Sequence, residues 1–250
     1  MKKILFSLLT ATSLFLAGCL ETTEEITLNE DGSGTVKMTN DMSALISMAK
    51  QMGNNGDMKE DNEVIDSTVS LEDKADSIPN LSEEEKALVR KGNLRINMDM
   101  PNDKFLTHLS FPFATPGEIG KCSALSKKVI SETLKGKTGG VGMTGEGEMP
   151  EASSFDDYYT VEYSNGLLIK TLNKEKYAKV GDDEYFKGLK EAAAMGLAYK
   201  ANYIIHLPRP AKSTEGKGLT LSEDKKQVTI AVELDDFLED PSKLEFRIEY

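Results

Sequence analysis

The sequence predicts an α+β fold in which an antiparallel sheet, built from hairpins, packs against several helices. Three observations predict it. Two turn clusters, Asn29-Glu30-Asp31-Gly32-Ser33-Gly34 and Ser164-Asn165-Gly166, each separate runs that alternate apolar and polar residues. Two capping boxes, Ser82 with Glu85 and Thr115 with Glu118, each open a run of helical periodicity. Hairpins spaced this closely also leave little room for the long crossovers that parallel strands need.

Residues 23–28 and 35–39 alternate on either side of the first turn cluster and read as a hairpin. The cluster resembles a calcium loop only in composition. An EF-hand needs Gly at its sixth position and Glu at its twelfth. Gly32 as the sixth puts Met38 at the twelfth, and Gly34 puts Asn40 there, so both registers fail. Asp41 can cap a helix over 41–52, in which Met42, Leu45, Ile46, Ala49 and Met52 recur at helical spacing. Such a stripe packs a core, or lines a groove for an amphiphile. Residues 53–62 are polar and read as a loop.

Ser82 and Glu85 start a short helix, with Leu81 placed as a staple, that runs to about Arg90 and stops before Gly92. Residues 94–100 and 105–111 alternate as strands around Pro101, Asn102 and Asp103, with His108 on the face opposite Phe105, Thr107, Leu109 and Phe111. Pro116 follows the capping Thr115 at the first helical position. Ile119, Cys122, Leu125, Val129, Ile130 and Leu134 then continue an apolar stripe over 116–134, which makes Cys122 a buried structural cysteine.

Residues 136–154 are glycine-rich and read as a linker or long loop between an N-terminal half, 19–135, and a C-terminal half, 155–250, which can together form one domain. Gly140, Gly142 and Gly145 spell a GxGxxG in it, but no strand precedes and no helix follows. Gly136-Lys137-Thr138 has the end of a phosphate-binding loop with Ser131 where its first glycine belongs. Beyond it, residues 158–163 and 167–172 make the Asn-Gly hairpin. A helix over 183–198 presents Phe186, Leu189, Ala193 and Leu197 on one face; strands follow at 199–207, 227–234 and 244–250. A chain that closes on a strand ties its C-terminus into the sheet.

The N-terminus carries the most specific signal. Lys2 and Lys3 precede an uncharged apolar run, 4–17, which is shorter than the ~20 residues a membrane-spanning helix needs. Leu16, Ala17, Gly18 and Cys19 close it. These four residues resemble the lipobox of bacterial lipoproteins at every position: an aliphatic residue, a small residue, Gly or Ala, then Cys. The resemblance covers residues 1–19. It implies that 1–18 is a lipoprotein signal peptide, that Cys19 receives a thioether-linked diacylglyceryl group, and that its freed amine is N-acylated. Leu20 in place of Asp implies, by the same resemblance, export to the outer membrane. Glu21, Glu24 and Glu25 resemble the surface-export signal of Bacteroidota-type lipoproteins, so the protein is expected there either periplasmic or surface-exposed. The body weakly resembles uncharacterised outer-membrane lipoproteins of that group, through its acidic start, its Asp-Gly-Ser-Gly hairpin and its closing strand pair. No activity carries over.

Cleavage after Gly18 leaves 232 of 250 residues and removes Lys2 and Lys3 but no acid, taking the formal charge from −12 to −14. Such a body repels nucleic acid and anionic headgroups, so the anchor and not the surface charge would hold it to a membrane. With Cys19 lipidated, Cys122 has no cysteine left to pair with. The lack of Trp argues against a sugar-stacking platform.

Catalysis asks for a nucleophile with its base, a metal set or a placed carboxylate pair. His108 and His206 each stand alone in a strand. The acids at 83–85 and 182–184 are accounted for at helix N-termini. The expectation is a non-catalytic envelope lipoprotein, without metal or cofactor besides its lipid, that binds or scaffolds another envelope component. A carrier or chaperone for a lipid or other amphiphile and an unrecognised hydrolase stay open beside it. An apolar cavity would favour the carrier, and a cleft of converging carboxylates the hydrolase.

Overall fold

A computed structural model describes residues 18–51, 64–134 and 153–250. β1 (Gly18–Leu28) and β2 (Gly34–Asp41) form the first hairpin and lead into α1 (Ser43–Gln51). β3 (Val64–Ser70), α2 (Glu83–Arg90), β4 (Asn93–Asp99), β5 (Lys104–Phe113) and α3 (Ile119–Leu134) follow. Next come β6 (Tyr159–Ser164), β7 (Leu167–Leu172), α4 (Lys174–Tyr177), α5 (Glu184–Ala194) and β8 (Leu197–His206). The chain ends with β9 (Ser213–Glu215), β10 (Leu219–Leu221), β11 (Gln227–Glu233), α6 (Leu234–Glu239) and β12 (Phe246–Glu249).

Eight strands form one sheet in the order β10-β11-β8-β1-β2-β5-β4-β3, and four form another, β6-β7-β12-β9. All neighbours are antiparallel but one: β1 runs parallel to β8, from the Gly18–Leu197 pair to the Thr27–His206 pair. This is the expected α+β class. The parallel pair joins the two halves of the chain inside one sheet. The large sheet turns Ile26, Val36, Leu109, Phe111, Ile205 and Ile230 inward. Above them lie α3, α5 and α6, together with the inner face of the small sheet, Leu168, Phe246 and Ile248.

The local chemistry explains the elements. Asp31 accepts from the Ser33 amide and hydroxyl, and Gly32 supplies the positive φ of +86° that the first turn needs. A Cβ on Gly34 would lie 2.0 Å from the Thr27 carbonyl oxygen, so the hairpin closes only on glycine there. Asp41 accepts from the Ser43 amide at the head of α1, and Ile46 is buried with Met42 and Leu45 packed beside it, so the stripe feeds the core. Both capping boxes form: Ser82 with Glu85, and Thr115 with Glu118, the second opening a 3-10 turn that leads into α3. Ile119, Cys122, Leu125 and Val129 are buried as the periodicity requires. Gly166 makes the Asn-Gly turn at φ +93°.

Some expectations need correction. The helix expected over 183–198 ends at Ala194, and Leu197 is already the first residue of β8. Gly196, at φ +96°, is the left-handed residue that stops the helix. Ala192 and not Ala193 is the buried alanine. β1 starts at Gly18, five residues before the alternation that announced it. β3 was not anticipated, because as an edge strand it has Val64, Asp66, Ser67 and Thr68 all exposed and no alternation to read. The loop expected at 53–62, Leu16 and Ala17 of the expected signal peptide, Met52, and the glycine-rich residues 136–152 with both motif lookalikes lie outside the described residues. Ser154, at the end of that stretch, caps a 3-10 turn, Phe155–Tyr158.

Candidate functional site

Three places deserve a chemical reading: the start of β1, the outer face of the large sheet, and the space between the sheets. At the first, Gly18 and Cys19 are already strand residues, paired with Leu197 and Ala198. Cys19 is exposed. Partial burial raises its thiol pKa, and the charges of Glu21, Glu233 and Asp41 add to this against the opposing Lys200. Of the four residues that resemble a lipobox, Gly18 and Cys19 are described, and both are paired in β1.

The outer face of the large sheet carries a run of polar pairs across strands. His206 Nε2 lies 2.9 Å from Glu25 Oε1, and Lys37 Nζ 3.7 Å from Glu25 Oε2. Thr39 Oγ1 is 3.0 Å from His108 Nδ1. Arg95 donates two bonds of 2.8 Å to Asp66. Both histidines therefore share one face but stand on β5 and β8, with β1 and β2 between them. Burial lowers the His108 pKa, and Lys37, Arg95 and Lys104 push it the same way, so its ring is neutral at neutral pH. Each histidine is satisfied by a neighbour on the adjacent strand.

The space between the sheets holds what the sequence reading missed. Lys170, 3% exposed on β7, forms an ion pair with Asp156. Its ammonium lies 4.0 Å from the centre of the Tyr203 ring and 5.1 Å from that of Tyr159. Tyr203 donates to Asp156 Oδ2 at 3.2 Å, while Lys127 on α3 bonds Asp157. Glu24, 6% exposed on β1, faces this group, and its Oε2 has no hydrogen-bond partner among the described residues. Burial pushes its carboxyl up to about 7; Asp156 adds to the rise, and Lys170, Ser123 and Lys127 oppose it. Burial alone would raise Asp156 as well, but Lys170 outweighs it and holds that carboxyl low. One buried cation thus balances one carboxylate, and the second keeps its proton.

The signal for this cluster was the phase of the strands. Glu24 is in register with the inward Ile26 and Leu28, and Lys170 with the inward Leu168. Glu24 and Asp156 are therefore carboxylates that converge between the sheets, Glu24 almost wholly buried and Asp156 partly exposed. Of the acidic trio that resembled an export signal, Glu24 is a core residue of β1, while Glu21 and Glu25 are partly exposed. An open, polar depression beside His206, lined by Leu207, Ser222, Asp224 and Gln227, is not the apolar enclosure an amphiphile would need. No described helix is long and apolar enough to cross a membrane.

No family model matches the sequence, and no curated protein matches it. Among solved structures, the chain is similar to the folded domain of the LppM protein of Mycobacterium tuberculosis, determined by NMR, at 8% identity and a TM-score of 0.39. The match covers 94% of this chain and 91% of that one. Likeness at that level assigns no function.

Proposed function

We propose that this protein is a non-catalytic cell-envelope lipoprotein, held to the outer membrane by lipid on Cys19, that binds or scaffolds another envelope component on the periplasmic or outer side. One observation carries the reading: the cysteine that closes the full match to a lipobox is also exposed at the start of the fold's central parallel pair. In this reading the anchor is a diacylglyceryl thioether with an N-acyl chain. Each buried methylene contributes ~0.8 kcal/mol, so several chains on one residue hold it where a single chain would not. The outer face of the large sheet is the surface left for the partner. Its outward residues Glu25, Thr39, His108, Asn202 and His206 are all partly exposed among the described residues.

The test is metabolic labelling with a fatty-acid analogue in cells making the native chain or Cys19→Ala. The native chain is expected to carry label and sediment with membranes, and Cys19→Ala to lose both. Equal label in the two sinks the reading.

A further inference from the structure

The end of the large sheet that carries Cys19 has a distinctive surface. The register runs from Glu21 through Asp41, Leu106 and Asn97 to Asp66. Two residues nearer the end, the row of Cys19 and Ala198 continues on the far strands as Lys104, Asp99 and Val64. Met195 precedes Leu197, the partner of Gly18, by two residues, which places it within roughly 12 Å of Gly18. Of the three large apolar side chains that stand exposed among the described residues, two are on this rim: Val64 at 65% and Met195 at 61%. Ala193, Ala194, Gly196 and Ala198 are exposed around Met195 and extend the apolar ground. Val64 lies four strands from Cys19, about 19 Å away.

A flexible leader would let a lipid-anchored domain float free of its membrane. Here Cys19 itself is paired with Ala198 in β1, so no residue separates the lipid-bearing position from the sheet. A lipid on Cys19 therefore brings this rim against the bilayer. The charged groups beside it are Glu21, Asp41, Asp99 and Glu233 against Lys104 and Lys200, an excess of acid. That excess repels anionic lipid and leaves a zwitterionic headgroup layer as the compatible surface.

We propose that the rim is a membrane-contact surface for zwitterionic phospholipid, with Met195 and Val64 entering the headgroup layer on either side of Cys19. The large sheet then stands upright on the membrane and its outer face looks sideways along it. The inference rests on the lipidation of Cys19 proposed above.

Full-length chains carrying Met195→Cys, Val64→Cys or Glu223→Cys test it. Glu223 lies in the exposed turn at the opposite end of the sheet. Each is purified from membranes, labelled with a thiol-reactive fluorophore and placed in vesicles of phosphatidylethanolamine and phosphatidylcholine containing a nitroxide-bearing quencher lipid. Mass spectrometry on the same samples reads the acylation of Cys19. The expected result is at least twofold quenching at 195 and at 64, and none at 223. With Cys19 acylated, absence of quenching at either rim site overturns this inference alone. An unacylated Cys19 overturns the anchor and this inference together.

Discussion

Glu24 and Glu25 are neighbours on β1 with the same side chain and opposite surroundings. Glu25 faces outward, between the His206 imidazole and the Lys37 ammonium, half in water. Glu24 faces inward to Asp156 and Lys170, with one oxygen unpaired, and holds its proton up to about pH 7. One step along a strand moves a carboxylate from solvent into the core. The difference teaches that the charges of this acidic protein do two kinds of work. Those on the outer face solvate the polar side of the large sheet. Those between the sheets tie the layers together, and they are sensitive to protonation.

Removing the cation at the centre of the inner cluster gives the largest expected effect. Lys170→Met removes a buried cation from an Asp156 carboxylate that is itself about a quarter exposed. Breaking a fully buried pair costs about 3–5 kcal/mol, and the part-exposed partner brings the expected loss to about 2–3 kcal/mol. Urea denaturation checks it, and a loss below about 1 kcal/mol would mean that water reaches the cluster. The next effect is the pH dependence of Glu24. Its folded-state pKa is raised from 4.5 to about 7, so the folded state binds the proton more tightly than the unfolded chain does. The stability it contributes is complete below about pH 4.5 and is lost as pH rises to 7, on the order of 2–3 kcal/mol. Denaturation at a series of pH values should show that decline in the native chain and a flatter profile in Glu24→Gln. Asp156 runs the other way: its lowered pKa contributes stability that is present above the unfolded value of 3.8 and is lost only as pH falls below it.

Cys122 sharpens the comparison with a neutral group. It is buried on α3, and burial, with the charges of Glu118 and Glu24 behind it, pushes its thiol up to about 12. Native-state alkylation should be slow and become fast on unfolding. Cys122→Ser should cost about 1–3 kcal/mol, because a hydroxyl there needs a partner, and Cys122→Ala should be milder. The smallest effect belongs to the outer face. Glu25→Ala leaves His206 and Lys37 free to turn to water and should cost less than about 1 kcal/mol. A cost as large as that of Lys170→Met would erase the distinction between the two faces.

The elements with local chemical markers were legible in the sequence. Ser82 with Glu85 and Thr115 with Glu118 marked the starts of α2 and of the turn into α3, and Asn165-Gly166 marked the second hairpin. What was missed depended on partners distant in sequence. β3 is an edge strand exposed on both faces, so its residues carry no period. The helix over-read to 198 followed the spacing of Phe186, Leu189 and Leu197 past Gly196, whose left-handed backbone is the stronger signal. The first residues of β1 were read only for the processing they resemble, and their pairing with β8 lies about 180 residues away in the chain. The inner cluster was within reach: a Glu in phase with Ile26 and Leu28, and a Lys in phase with Leu168, are charges pointed at a core.

The anchor is the claim on which the reading of this molecule turns, and the mass of its N-terminal peptide tests it most directly. Protein purified from membranes, digested and measured by mass spectrometry should yield an N-terminal peptide that begins at Cys19 and carries both a diacylglyceryl thioether and an amide-linked acyl chain. A peptide that begins upstream of Cys19, or one that begins there with a free thiol, would contradict the account.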